Sequence, residues 1–171
     1  MAVSNMKRNV SLLALCQGYA QTSVTVVISV SALAALLILE DRTLATLPHA
    51  FMWCATAMAA TPASLLMKRY GRRRGFAFGA LFGVAGCALC TLGLRYGDFW
   101  IFVAGTSCFG AFNAFNQYLR FAAAETADAE FRPKAISLVI GGGIVAAFVG
   151  GFLAGHTSEV LAPQFTATYI I

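Results

Sequence analysis

Charged residues are scarce in this sequence: Asp, Glu, Lys and Arg make up 11% of the 171 residues, whereas soluble domains carry about 25%. Hydrophobic residues make up 59%, and they come in long blocks rather than at the spacing of an amphipathic helix or strand. A bilayer core of about 30 Å needs about 20 apolar residues per helix, and several blocks reach that length. Because isolated strands cannot satisfy their backbone hydrogen bonds in lipid, the sequence predicts an all-α integral membrane protein.

Patterns of catalytic and metal-binding residues are also missing. The sequence has no paired carboxylates, no Ser/His/Asp set, no metal-ligand spacing and no phosphate-binding loop. Cys87 and Cys90 form a CxxC pattern, but no histidine or second cysteine pair accompanies it, and all five cysteines fall inside apolar blocks. Small apolar residues within membrane helices are the favoured interpretation. We therefore predict a protein that is not an enzyme and that has neither a metal site nor a cofactor.

Five apolar blocks are long enough to cross a membrane, and a sixth is incomplete. The predicted spans are residues 10–39, 47–67, 75–94, 99–120 and 135–155. The final segment "FTATYII", from about residue 165, is typical of the start of a helix, but seven helical residues rise only about 10 Å. The sequence therefore predicts five transmembrane helices plus the beginning of a sixth.

No Asp or Glu lies inside a predicted span; all seven acids fall in loops or at span ends. The two histidines, His49 and His156, are near the outer ends of their spans. Proton-coupled carriers usually hold a carboxylate or a histidine within the membrane. If protons drive this protein, we expect their relay to lie outside this sequence.

Positive charge is concentrated between the second and third predicted spans, where "KRYGRRRG" (68–75) places five cations in seven residues. With a cytoplasmic N-terminus, ten Lys and Arg flank the spans on the inner side and only Arg42 and Arg95 lie on the outer side. This positive-inside bias predicts a plasma (bacterial inner) membrane protein with its N-terminus in the cytoplasm. Lipid head groups are the expected neighbours of the basic hairpin, which is too short to reach a nucleic-acid groove.

Polar side chains occur at helical spacing in two of the predicted spans. The first span carries Gln17 and Gln21, one turn apart, and the fourth carries four polar residues at offsets 0, 3, 4 and 7. These are Asn113, Asn116, Gln117 and Arg120. Polar groups at membrane depth are costly unless they meet partners or water. We interpret Gln17, Gln21, Asn113, Gln117 and Arg120 as the walls of a hydrated substrate cavity. Hydrogen bonding between helices without any ligand, and snorkelling of Arg120 to the inner surface, remain open alternatives.

The basic hairpin resembles the loop motif of the major facilitator superfamily, which reads roughly G-x-L-a-D-R-x-G-R-R. The segment "SLLMKRYGRRR" (64–74) matches it at Leu66, Arg69, Gly71, Arg72 and Arg73. Ser64 replaces the glycine, and Lys68 replaces the aspartate that helps to hold the inner gate in that family. The resemblance implies that Lys68, Arg69, Gly71, Arg72 and Arg73 form the inner-loop motif and gate. Residues 118–151 also resemble the fourth-to-fifth helix segment of a bacterial subgroup.

The resemblance implies that residues 1–171 are a partial N-terminal transmembrane bundle of a twelve-helix carrier, in which two six-helix bundles rock around a midplane site. The expected function is that of the N-terminal portion of a secondary transporter that moves a small solute by alternating access. Its expected partners are that solute, membrane lipid and a missing C-terminal half. A second interpretation stays open: a membrane scaffold or assembly protein that does not transport, or the inactive remnant of a truncated transporter gene. Neutral amides indicate an uncharged or zwitterionic solute, whereas Arg120 would suit an anion.

Overall fold

The computed structural model of the chain describes residues 2–38 and 44–157, which form α-helices and no β-strand. The helices are α1 (Ala2–Ile38), α2 (Leu47–Tyr70), α3 (Arg72–Tyr96), α4 (Phe99–Asn116), α5 (Leu119–Thr126) and α6 (Arg132–Thr157). The predicted all-α fold class is confirmed. The beginning of a sixth span, expected from about residue 165, lies outside the described residues.

Four helices in the described part of the chain are long and apolar enough to cross a membrane: α1 from Met6, α2, α3, and α6 as far as Leu153. Many of their large apolar side chains are exposed, as lipid-facing side chains are, and Phe148 of α6 is one of the most exposed. Helix α4 differs because most of its residues are buried and its last turn carries Asn113 and Asn116. The molecule is thus an integral membrane helical bundle with α4 in its interior.

Helix α4 packs against both α2 and α3, while α1 packs most extensively against α6. The main core forms where one face of α1 meets α4, the N-terminal part of α2 and the C-terminal part of α3. It includes Val27 of α1, Met52 of α2, Cys90 of α3 and Phe102 of α4, all almost completely buried. Hydrophobic drive between helices is small in lipid, so close van der Waals packing must hold this bundle together.

Glycines of α4 bring backbones into direct contact. A Cβ atom on Gly110 would lie 2.2 Å from the carbonyl oxygen of Met52 in α2. A Cβ atom on Gly105 would lie 2.6 Å from the backbone nitrogen of Cys90 in α3. Side chains larger than hydrogen would push α4 away from both neighbours, which explains why glycine occupies these two positions.

Two threonine hydroxyls link neighbouring helices. Thr22 Oγ1 lies 3.1 Å from the carbonyl oxygen of Gly18 in its own helix and 3.1 Å from that of Ala146 in α6. Thr56 Oγ1 lies 2.9 Å from the carbonyl oxygen of Met52 and 3.0 Å from that of Gly110 in α4. A hydroxyl carries one hydrogen, so each threonine shares its donor between its own helix and the next.

The predicted fourth span, residues 99–120, crosses a break in the helix. Helix α4 ends at Asn116, and α5 begins at Leu119. Gln117 and Tyr118 keep near-helical dihedral angles, but the Tyr118 N–H donates to the Phe115 carbonyl oxygen at 3.1 Å, which is an i→i−3 bond. The Tyr118 hydroxyl donates to the Ala60 carbonyl oxygen of α2 at 2.9 Å. The chain therefore tightens into a 3₁₀-like turn that is fastened to α2.

Candidate functional site

A cavity of about 240 Å³ lies between α1, the α4–α5 break and α6. Four of the five predicted cavity residues line it: Gln17 and Gln21 from α1, and Gln117 and Arg120 from the two sides of the break. Gln17 and Gln21 are half-buried, while Gln117 and Arg120 are more exposed. The i, i+4 spacing in α1 puts both amides on the face that meets α6.

Asn113, the fifth predicted cavity residue, is not part of this lining. It lies one helical turn before Gln117, 4% exposed, and its backbone carbonyl accepts the Gln117 N–H at 3.1 Å. Asn116 is also buried, and within the described part of the chain its Nδ2 atom has no hydrogen-bond partner. The C-terminal end of α4 therefore holds two buried amide side chains that lie next to the cavity and are not part of its wall.

The third wall of the cavity comes from α6, which holds none of the predicted cavity residues. It consists of Val139, Ile140, Gly143, Ile144 and Ala147. A Cβ atom on Gly143 would lie 3.5 Å from Gln17 Cγ and 3.8 Å from Gln21 Cγ, so this glycine leaves room directly beside the amides. These five residues are at offsets 0, 1, 4, 5 and 8 along α6 and therefore share one helix face. In the sequence, however, apolar residues that face a cavity cannot be distinguished from apolar residues that face lipid.

The chemistry of the cavity is that of neutral hydrogen bonding. Three amide side chains can each donate and accept, and the α6 wall offers apolar contact. Arg120 is the one cation of the lining, and its guanidinium carbon lies 5.3 Å from the centroid of the Phe121 ring, a cation–π distance. No carboxylate lines the cavity. The lining therefore combines neutral hydrogen-bonding groups, an apolar wall and one cation.

The inner-loop motif forms a tight link between α2 and α3. Gly71 is the single residue between the two helices and has φ 85°, a conformation that other residues rarely adopt. Its N–H donates to the Met67 carbonyl oxygen at 3.0 Å, and its own carbonyl accepts the Gly75 N–H at 3.1 Å. The glycine of the motif thus ends one helix and begins the next.

Arg72 of the motif pairs with Glu125 at the end of α5, a residue that was not among the predicted site residues. Arg72 Nε donates to Glu125 Oε2 at 2.6 Å, and Nη2 donates to Glu125 Oε1. Nη1 also donates to the Tyr118 carbonyl oxygen at 3.4 Å. These hydrogen bonds from Arg72 lower the pKa of the Glu125 carboxyl. The two residues are 53 positions apart in the sequence, so no local pattern could have revealed the pair.

The other basic residues of the motif are exposed. The Arg69 guanidinium carbon lies 5.4 Å from the Tyr70 ring centroid. Among the described residues, Lys68, Arg69 and Arg73 form no ion pair. In the same part of the chain, no group of three His, Cys, Asp or Glu side chains is placed to hold a metal ion.

Comparison with known proteins defines the class to which this helical bundle belongs. The chain matches the family model of the Major Facilitator Superfamily over residues 10–171. It therefore belongs to this family of membrane transporters, and the assignment made from the inner-loop motif is confirmed.

The chain is similar to the riboflavin transporter RfnT of Brucella anthropi, with 34% identity over 155 residues. The matched region covers 91% of this chain and 39% of that transporter. This chain thus spans about two-fifths of the length of the relative. No solved structure matches the chain.

Proposed function

We propose that the chain is the N-terminal portion of a secondary transporter that moves a small neutral solute across the membrane by alternating access. The observation that carries the proposal is the cavity in which Gln17, Gln21, Gln117 and Arg120 meet. In a carrier of this family, two bundles close alternately over a shared site. The bundle described here supplies one side of such a site, and a C-terminal half would supply the other.

The proposed solute is riboflavin or a compound with the same fused ring system. This part of the proposal rests on the similarity to the riboflavin transporter and on the chemistry of the cavity. Riboflavin is uncharged, and its flat ring carries two carbonyl groups and an imide N–H, which the amides of Gln17 and Gln21 can pair with. The apolar side chains of α6 would contact the face of the ring.

The proposed inner gate consists of the motif residues Lys68, Arg69, Gly71, Arg72 and Arg73, on the cytoplasmic side of a bacterial inner membrane. The Arg72–Glu125 pair ties the start of α3 to α5, and α5 also carries Arg120. A movement of the motif would therefore be transmitted to one wall of the cavity through a single short helix. This connection supports a role for the motif in opening and closing the site.

Uptake of radiolabelled riboflavin tests the proposal in a bacterial strain that can neither make riboflavin nor import it. The complete protein that contains this sequence should restore uptake. At equal membrane expression, Gln21→Ala should reduce uptake about three- to tenfold, because the loss of one hydrogen bond weakens binding by about this factor. Gln117→Ala should also reduce it, because the Gln117 side chain lines the cavity at the α4–α5 break.

Ser23→Ala is the matched control, because Ser23 is exposed on α1 two residues from Gln21 and its hydroxyl donates to the Tyr19 carbonyl oxygen of the same helix. Full uptake by both Gln21→Ala and Gln117→Ala would remove the cavity assignment. Uptake of a different solute without uptake of riboflavin would remove the solute assignment and leave the transporter assignment in place.

A further inference from the structure

A second cavity, of about 500 Å³, lies beside the inner loop and is separate from the amide-lined cavity. Its lining includes Ser64 and Lys68 of α2, Arg72 of α3, and Tyr118, Phe121 and Glu125 around α5. Ser64 and Lys68 are one helical turn apart, so a hydroxyl and an ammonium group share one side of the opening.

The charges of this cavity favour a monovalent anion. Glu125 uses both carboxylate oxygens on Arg72, so the two charges cancel each other. Lys68 is left as the cation without an ion-pair partner among the described residues. The exposed residues Arg73 and Arg74 in the first turn of α3 raise the local potential further. The cavity therefore carries one excess positive charge in a cationic surrounding.

The position of the cavity points to a lipid as the source of the anion. Lys68 lies in the last turn of one candidate membrane span, and Arg72 begins the next, so both are at the level of the lipid head groups. Phe121, with 49% of its surface exposed, lines the cavity, and the exposed Leu65 adjoins Ser64 on α2. These apolar side chains can contact a glycerol backbone and the first carbons of an acyl chain.

We propose that this cavity binds the phosphate of an anionic phospholipid, with the Lys68 ammonium and the Ser64 hydroxyl as its contacts. Basic pockets between membrane helices on the cytoplasmic side are suited to such head groups. A head group such as phosphatidylglycerol, with one negative charge, matches the single excess charge of the site. The proposal does not depend on which solute the protein transports.

Native mass spectrometry of the purified full chain tests this proposal. The chain is released from mixed micelles of phosphatidylglycerol, phosphatidylethanolamine and phosphatidylcholine, and the retained lipids are counted. Phosphatidylglycerol should be retained in preference to the other two. Lys68→Gln should weaken the retention of phosphatidylglycerol about fivefold, because one cation near the membrane surface contributes about this factor to the binding of an anionic lipid. Lys68→Arg should preserve the retention.

Arg74→Gln is the matched control, because it removes the same charge from the same loop at a residue that does not line the cavity. It should leave retention nearly unchanged. If Lys68→Gln and Arg74→Gln lost equal amounts of bound phosphatidylglycerol, the effect would come from the net charge of the region, and the proposed site would be refuted. Equal retention of the zwitterionic lipids, or displacement of the lipid by millimolar glycerol phosphate or inorganic phosphate, would also overturn it. Circular dichroism verifies that each variant is folded.

Discussion

At the scale of single residues, the two glycines Gly110 and Gly143 have opposite surroundings. Gly110 faces a backbone carbonyl at a distance that admits no methyl group, whereas Gly143 faces flexible glutamine side chains with room for one. The first glycine sets how closely α2 and α4 approach, and the second sets how much space remains beside the amides. The same residue type therefore serves packing at one position and the size of the cavity at the other.

Gly110→Ala should destabilise the bundle by about 1–3 kcal/mol, because the added methyl group must displace the α2 backbone near Met52. Denaturant titration in detergent micelles, followed by circular dichroism, measures the change. Gly141→Ala is the control, since a Cβ atom there has no neighbour within 4 Å. Equal stability of the two variants would contradict the close approach of α2 and α4.

Gly143→Ala should fold normally, because its methyl group makes only ordinary contacts of 3.5–3.8 Å with Gln17 and Gln21. It should nevertheless reduce riboflavin uptake roughly tenfold by taking up space beside the amides, an effect of the size expected for one methylene group in a binding pocket. The transport assay described above measures this, with Gly141→Ala again as the control. Unchanged uptake by Gly143→Ala would show that Gly143 does not border the solute site.

At this scale the sequence gives a signal for polar residues of the cavity lining and none for the apolar ones. Gln17 and Gln21 stand out because an amide in an apolar block is costly without a partner. Gly143 and Ile144 carry no such signal, because an apolar wall and a lipid-facing surface have the same composition. Glu125 was missed for a different reason, since its partner Arg72 is distant in sequence and only the fold brings the two together.

At the scale of helices, the boundary between α4 and α5 shows where tertiary contacts override the local pattern. The predicted fourth span ran through residue 120, and nothing in "NQYLR" (116–120) includes a glycine or proline to stop it. The break coincides with the bond from the Tyr118 hydroxyl to Ala60 of α2 and with the i→i−3 turn at Phe115. A contact with another helix, invisible in the local sequence, accompanies the end of α4.

Tyr118→Phe should lower the free energy of unfolding by about 0.5–1.5 kcal/mol, because the Ala60 carbonyl loses its interhelical donor. Thermal unfolding in micelles measures the difference. Tyr96→Phe is a suitable control, as Tyr96 is largely exposed at the end of α3. A loss of equal size in the control would mean that the Ala60 bond contributes nothing measurable.

The Arg72–Glu125 pair should make stability depend on pH in the acid range. Arg72 lowers the pKa of Glu125 below its ordinary value of 4.5 in the folded protein. The contribution is therefore complete above pH 4.5 and is lost as the pH falls through the lowered pKa. Wild type should be more stable than Glu125→Gln at pH 7, and the difference should shrink as the pH falls through the lowered pKa of Glu125.

Glu130→Gln provides the comparison for this pH series, because Glu130 is exposed and forms no ion pair among the described residues. It should follow wild type at every pH. A difference between wild type and Glu125→Gln that stays constant until the whole chain unfolds in acid would contradict the ionic origin of the contact.

At the scale of the whole molecule, the helices form two groups, α1 with α6 and α2 with α3 and α4. Helix α5 contacts α1 and α6, and its residue Glu125 reaches Arg72 at the start of α3. Composition was enough to predict an all-α membrane bundle, because the long apolar blocks allow few alternatives. The pairing of α1 with α6 was not predictable, since small residues are spread through several helices.

The predicted orientation can be tested on intact membranes. Trypsin should cleave after Arg73 or Arg74 in inside-out vesicles and should leave this loop intact in right-side-out vesicles, because ten of the twelve Lys and Arg lie on the predicted inner side. Peptide mapping by mass spectrometry identifies the cut. Cleavage of the loop from the outside would reverse the topology and with it the cytoplasmic location of the inner gate.

The shared hydroxyls of Thr22 and Thr56 affect how easily the two helix pairs can come apart. Each hydrogen has a second acceptor in its own helix, at 3.1 Å for Thr22 and 2.9 Å for Thr56. If α6 slid along α1, or α4 tilted from α2, the hydrogen would rotate fully onto that internal oxygen. The donor would then keep a partner in hydrocarbon, so these contacts would hold the observed arrangement at little electrostatic cost to leaving it.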